Sequence, residues 1–418
     1  MSKQDRLVLL GLLIPSALFA NYDAQLRALL LRQIQSTFHA PISSLGIINL
    51  PIQAGQFLGF FIVRLSDRYG RRPLLLWTII GYSVTTALTA LSWNIYSYGF
   101  FQSLSQIFIG GEFGVAVTLL TESVPEKSRG RFISLLLMVT PLGAVLAGLL
   151  LALGLLHNSL SWRLFYLLSL PPLVITTLLR PKLKESPLFQ RRSQHAKDTL
   201  SKDTGRTQSA LALFQDSYLR RAVFAVGTVS MLQELALTGT IGWWAYYIES
   251  ERRISVTHAG VLFALAALVA IPGYLLCGVL MDRLGRKPTL VVYLMLGVAG
   301  GVGTFVSTSL VAIVVTLFLA SFFGLGVGPV LSAYTAELFP TELRATASGW
   351  VRNLFANSGS VLGPALVGVL ASASFTSLAV SSAAIVIISF SALSIPIAVL
   401  SLKETRGVTL SDITDPPG

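Results

Sequence analysis

Leu65-Ser66-Asp67-Arg68-Tyr69-Gly70-Arg71-Arg72-Pro73 and Leu280-Met281-Asp282-Arg283-Leu284-Gly285-Arg286-Lys287-Pro288 are one stretch of sequence written twice, 215 residues apart. The same offset carries Glu122, Pro125 and Arg129 onto Glu337, Pro340 and Arg344. Charged and turn residues do not hold one register across half a chain by chance, so the protein consists of two related halves. In both copies the stretch joins two long apolar runs.

Those runs set the class. Of 418 residues, 53% are hydrophobic and only 12% charged, and the mean hydropathy is +0.71. A soluble protein carries about 25% charged residues. Apolar runs long enough to cross a bilayer as helices recur throughout, and the short alternating segments of a membrane β-barrel are absent. The expected fold is an all-α membrane protein with twelve transmembrane helices in two pseudo-symmetric six-helix bundles around a central cavity. The spans fall at 7–32, 42–64, 74–92, 97–121, 132–156, 162–180, 220–248, 257–281, 289–307, 310–336, 346–371 and 378–401. The first bundle is 1–180, a polar cytoplasmic linker is 181–219, and the second bundle with a short tail is 220–418. Duplicated membrane halves point to alternating-access transport.

The net charge of +12 does not signal nucleic acid, because of where it sits. Of the 31 Lys and Arg, 25 lie in the termini, the linker and the loops of one face. That bias makes the face cytoplasmic. With an even number of spans both termini share it, at the bacterial inner membrane. Cys277 is the only cysteine, which excludes an internal disulfide, and the four histidines show no ligand spacing. The first apolar segment reads as helix 1 rather than a cleaved leader. No metal or cofactor is expected, and the chain is expected to act as a monomer in the lipid bilayer.

The duplicated Asp-Arg-x-Gly-Arg-Arg/Lys loops resemble those of the major facilitator superfamily of secondary transporters. Further matches are Glu122…Arg129, Glu337…Arg344, Glu185-Ser186-Pro187, Glu404-Thr405-Arg406-Gly407 and the run Tyr334 to Ala345. They resemble the sugar-porter and organic-ion branch, and Gly110-Gly111-Glu112 is similar to bacterial metabolite:proton symporters. The family usually has Gly four residues before the loop Asp; Gly278 keeps it and Val63 does not, which implies looser packing in the first half. The resemblance implies that Asp67, Arg71, Glu122 and Arg129, with Asp282, Arg286, Glu337 and Arg344, form a cytoplasmic gate of salt bridges. It implies less of a sugar site. The Gln and Asn positions ahead of Tyr246-Tyr247 hold Ala236, Leu237 and Gly242, and the helix 10 Trp position holds Ser332.

Charges inside apolar spans are costly and therefore informative. Asp23 matches the helix 1 Asp that takes up the proton in proton-coupled sugar porters. Its Arg partner there aligns with Gln102, and Arg27, one turn from Asp23, stands as a replacement partner. A structural ion pair is the alternative. Glu112 falls near mid-bilayer, about 15 Å above Glu122, as a second proton site, a substrate contact or a helix–helix hydrogen bond. Arg352, about 12 Å from Arg344, offers a planar fork for a carboxylate or pairs with Glu112 or Glu234. Tyr246 and Tyr247 line a cavity or anchor the interface, and Asn353 and Asn357 share a helix face for polar substrate groups.

The sum of these readings is a transporter, not an enzyme. It takes up a small organic solute, an organic anion such as a carboxylate, with protons as the coupling ion. Rivals are a proton-driven exporter, a sugar:proton symporter and a sensor built on the same fold.

Overall fold

The computed structural model describes residues 3–123, 139, 141–154, 161–179, 183, 185, 215–372 and 378–406. Among them helices alternate with turns and no strand occurs. The first half holds α1 (Lys3–Leu29), α2 (Leu31–Phe38), α3 (Ile42–Tyr69), α4 (Arg71–Thr89), α5 (Ile95–Ser123), α6 (Pro141–Ala152), α7 (Trp162–Leu167) and α8 (Pro171–Leu179). The second holds α9 (Ser217–Ser250), α10 (Val256–Arg283), α11 (Arg286–Val306), α12 (Leu310–Leu319), α13 (Gly328–Glu337), α14 (Thr341–Gly349), α15 (Asn357–Leu370), α16 (Val380–Ser391) and α17 (Ser394–Ser401). Among the described residues nine stretches are long and apolar enough to cross a membrane. Together with α1, α4 and α6 they account for twelve spans. The linker expected at 181–219 lies almost wholly outside the described residues, as do Arg129 and the tail from 407.

Two compact units emerge. One is Met1–Asp203 with Ser255–Ala264; the other is Thr204–Ile254 with Leu265–Gly418. In the first, Leu75, Ile79, Tyr82, Val115 and Leu119 form the core. In the second, Val226, Val229, Leu290, Val330 and Tyr334 do so. Phe61, Trp77, Val311 and Leu400 are more than 60% exposed. Large apolar side chains turned outward are what a surface bathed in lipid requires.

Close approach of α3 and α5 fixes the first unit. A Cβ on Gly59 would lie 2.5 Å from the Gly111 amide nitrogen, so the two backbones touch. Val63, where the loop pattern usually has glycine, seats against Gly114 of α5, where any Cβ would collide with it. The packing there is tight rather than loose. Gly278, which keeps the usual glycine, has open space where its Cβ would stand.

The second unit contains helix irregularities. Between α12 and α13 the chain makes a π-helical turn, Ala320–Leu325. The Gly324 carbonyl lies in this irregular turn. Gln233 Nε2 donates to that carbonyl at 2.9 Å. In α15 the i+4 donor for Ser360 would be Pro364, and the Thr238 hydroxyl donates to the Ser360 carbonyl at 3.3 Å. In both irregular places a polar side chain of α9 donates to a helix carbonyl. A second π-helical stretch, Trp350–Ala356, joins α14 to α15 and carries Arg352 and Asn353.

Candidate substrate and proton site

Polar residues on α5 fall at Gln102, Ser105, Gln106 and Glu112, a spacing that keeps them on one face of the helix. All four are buried. Thr86 and Thr89 of α4 and Ser16 and Asp23 of α1 are buried with them. The result is a polar seam inside an otherwise apolar unit.

Asp23 is fully buried. It accepts from Gln102 Nε2 at 3.3 Å on one oxygen and from the Ser105 hydroxyl at 3.4 Å on the other. Ser105 is in turn 2.8 Å from the Thr86 hydroxyl. The other Gln102 amide hydrogen goes to Thr89 Oγ1 at 3.1 Å. Arg27 is half-buried and does not pair directly with Asp23. Its guanidinium donates to Gln102 Oε1 and to Gln53 Oε1 of α3, each at 3.4 Å. Gln102 therefore stands between acid and base. A guanidinium only donates and a carboxylate only accepts, so one amide orientation serves both. The expectation of a direct Asp23–Arg27 couple is corrected to a bridged one, and the glutamine occupies the position where the resemblance puts a partner arginine.

One turn further along α3 and α5, Gln56 Nε2 donates to Gln106 Oε1 at 2.8 Å. The Gln106 amide nitrogen has no acceptor among the described residues. Glu112 is 4% exposed, and its Oε2 likewise lacks a partner there. It faces Ser16 and Tyr82, whose hydroxyls are 3.2 Å apart. Of the roles open to Glu112, the helix–helix hydrogen bond is thus at most half made.

In the second unit Glu234 of α9 and Arg352 lie close enough to interact electrostatically, and Tyr274 of α10 faces the same carboxylate. Arg352 and Asn353 are exposed on their π-helical stretch, and Asn357 is half-buried one turn on. Such stretches recur at functional sites because they turn side chains out of the regular helical register. Tyr247 is different. It is fully buried, donates to the Phe305 carbonyl at 3.2 Å and accepts from Arg252 Nε at 2.5 Å. With its hydroxyl spent inside the unit it braces the end of α9. Tyr246, 8% exposed, packs edge-on to Trp243, which donates to the Pro364 carbonyl at 2.8 Å.

The duplicated loops fold alike. Gly70 (φ 103°, ψ 153°) and Gly285 (φ 108°, ψ 163°) both adopt a backbone open only to glycine. Each precedes a helix whose first amides bind a glutamate from the far end of its half. Glu185 accepts from the Arg71 and Arg72 amides at 3.1 Å. Glu404 accepts from the Arg286 and Lys287 amides at 2.8 and 3.0 Å. Burial raises the Glu404 carboxyl, and its amide donors outweigh that and hold it below the ordinary glutamate range. Carboxylates are favoured at helix N-termini by both the free N–H groups and the helix dipole.

Of the gate residues, Asp282, Arg286 and Glu337 come together. Arg286 grips Glu337 through Nη2 at 2.9 Å and Nε at 3.1 Å and reaches Asp282 at 3.4 Å. Thr405 Oγ1 donates to Glu337 Oε2 at 2.5 Å. Arg344 stays outside this group, with Nε and Nη2 buried and lacking acceptors among the described residues. Arg71 mirrors one bond of Arg286: its Nη1 donates to the Ser66 carbonyl as Arg286 Nη1 does to Met281. Asp67 and Glu122 lie on α3 and α5, but their side chains, like the whole of Arg129, fall outside the described part.

The residues missed from sequence are Gln53, Gln56, Gln106, Ser105, Thr86, Thr89 and the Ser16–Tyr82 pair. A signal existed: two glutamines a turn apart in each of two apolar spans.

Comparison with known proteins gives one answer along the chain. Residues 20–218 match the family described as "Sugar (and other) transporter", and 223–411 match the "Major Facilitator Superfamily". The chain is 28% identical to the 3-(3-hydroxy-phenyl)propionate transporter of Escherichia coli, over 88% of each protein. It is 25% identical to the cis,cis-muconate transport protein of Acinetobacter baylyi, over 84% of each. The niacin transporter of the same organism is 28% identical, over 78% of this chain and 77% of that one. The crystal structure of a D-xylose-proton symporter superposes with a TM-score of 0.74 at 18% identity, over 96% of this chain and 99% of that one. That last likeness concerns the fold alone.

Proposed function

Because the chain belongs to the major facilitator superfamily and is a multi-pass membrane transporter, not an enzyme, we propose that it is a proton-coupled symporter of a small organic anion. Asp23 is the proton carrier and Glu112 a second proton site. The observation that carries this reading is a fully buried carboxylate linked to an arginine by one glutamine, inside a membrane span. Every donor bound to Asp23 is neutral. Its charge is therefore free to change without breaking a tight ion pair.

The substrate class rests on chemistry and on relatives. Arginines at Arg27 and Arg352 suit a carboxylate, and the relatives named above are described as carrying hydroxyphenylpropionate, muconate and niacin. All three are small organic acids. The positions that bind sugar hydroxyls in sugar porters hold Ala236, Leu237, Gly242 and Ser332 here, which weighs against a sugar. Transport proceeds by alternating access, with salt bridges such as Arg286–Glu337 biasing one state. It needs protons and no cofactor, and the chain works as a monomer in the inner membrane with both termini in the cytoplasm.

The test is uptake by purified protein in liposomes under an inward proton gradient. The panel is nicotinate, cis,cis-muconate, 3-(3-hydroxyphenyl)propionate, D-xylose and an organic cation. Gradient-driven accumulation of a carboxylate, lost in Asp23→Asn, is the expected result. Accumulation of xylose or of the cation alone refutes the substrate class, and full uptake by Asp23→Asn refutes the proton assignment.

A further inference from the structure

Arg27 is a charge in an apolar span whose compensation is incomplete. Its hydrogen bonds go to two neutral amide oxygens, both long at 3.4 Å. Among the described residues no carboxylate lies within the 4.0 Å of an ion pair. Other arginines fare differently. Arg286 is gripped by Glu337, Arg352 faces Glu234, Arg252 lies over the Tyr247 ring, and Arg163 lies over Trp162 and donates to the Ala90 carbonyl. A half-buried guanidinium whose hydrogen bonds all go to neutral amide oxygens, with Asp23 acting on it only through space, can take an anion on its fork. A second observation points the same way. One turn further along the same two helices, fully buried Gln106 has an amide nitrogen with no acceptor among the described residues.

Resting on the symport reading above, we propose that Arg27 binds the carboxylate of the transported anion and that Gln102 links its occupancy to the proton on Asp23. An arriving carboxylate replaces the Gln53 and Gln102 oxygens on the guanidinium fork. It then stands one glutamine away from Asp23, and two negative charges at that separation disfavour each other. Asp23 takes one proton from water as the anion binds and releases it when the anion leaves. No other bond changes. The anion and its proton travel as a neutral pair, so transport of a monocarboxylate moves no net charge.

The groups facing Asp23 from each packed element are consistent with this pairing. They are Arg27 and Tyr22 on α1, Thr86 and Tyr82 on α4, Gln102, Ser105 and Tyr98 on α5, and Tyr166 on α7. Arg27 is the single cation among them, and no second carboxylate is. The proton taken up as the anion binds is therefore governed by Asp23 and Arg27 together, apart from Glu112.

The test is calorimetric binding to the purified full-length protein of the three carboxylates named above, each beside its primary amide, in two buffers of different ionisation enthalpy. Wild type binds the acid more tightly as pH falls and takes up about one proton per anion. Arg27→Gln weakens acid binding by about 10- to 100-fold, the worth of a charge-assisted fork, and leaves the amide unchanged, which also reports that the variant is folded. Arg27→Lys recovers part of the loss. Asp23→Asn binds the acid with no proton uptake. An Arg27→Gln protein that keeps the preference for acid over amide overturns the proposal, as does an Asp23→Asn protein that still takes up the proton. If wild type accumulates a carboxylate in liposomes while Arg27→Gln does so equally well, this inference fails and the symport reading stands. If wild type accumulates none, both fail.

Discussion

Replacing Gly285 by alanine tests the geometry of the duplicated loop. At φ 108° and ψ 163° an alanine occupies a region that costs about 1–3 kcal/mol for any residue with a Cβ. The added carbon would stand 2.6 Å from Glu404 Oε2 and 2.9 Å from its Cδ. The carboxylate has to withdraw, loosening its bonds to the Arg286 and Lys287 amides. Glu404 is exposed, so those bonds contribute well under the full value of a charge-assisted bond, about 1 kcal/mol together. The sum is roughly 2–4 kcal/mol, which for a unit of this size lowers Tm by roughly 5–15 °C. Thermal unfolding in detergent at one scan rate measures it. Gly278→Ala is the control: that position is mid-helical and has open space, so alanine there is neutral or stabilising by about 1 kcal/mol. A Gly285→Ala protein that melts at or above wild type would refute the argument, because neither the backbone strain nor the contact could then be real.

Three further outcomes are expected. Because the Glu404 carboxyl is held below its ordinary range by amide donors despite partial burial, its stabilisation is present above the unfolded-state value and is lost as pH falls through the folded one; the acid-side drop in Tm should be shallower in Glu404→Gln than in wild type. Thr238→Val should cost about 1 kcal/mol by exposing the Ser360 carbonyl, and less in a Pro364→Ala background, where the helix supplies its own donor; chemical denaturation of the four proteins checks the coupling. Arg286→Lys keeps the charge and loses the fork on Glu337, so a double-mutant cycle with Glu337→Gln should show a coupling of about 1–2 kcal/mol that the lysine variant mostly lacks.

Much of the architecture was legible because membrane helices obey few rules. Apolar length and charge placement locate the spans, and the repeat at 215 residues divides the chain. The irregularities were not legible. Pro364 signals a break, but only the packed neighbour shows Thr238 answering it, and nothing in the sequence shows Gln233 donating to Gly324. At the site, Asp23 and Glu112 stood out because charge in lipid is expensive. Gln53, Gln56 and Gln106 did not, since a neutral amide leaves hydropathy almost unchanged and declares its role only through its partner. Helical spacing puts Arg27 one turn from Asp23 and the resemblance puts a partner at Gln102, but neither shows that Gln102 reaches between them. Tyr247 shows a different limit: an aromatic near a helix end reads the same whether it meets substrate or the carbonyl of Phe305.

The two glutamate clasps bear on how the chain is assembled. Glu185 fastens the start of α4 as soon as the first half has been synthesised. The first half can therefore close on itself while the second is still on the ribosome. The second half has no such head start, since its clasp is Glu404, which follows α17, the last described helix of that unit. Until α17 and the residues after it have been made, the start of α11 goes uncapped, so a truncation just before Glu404 should release an intact first half joined to a second that quality-control proteases recognise.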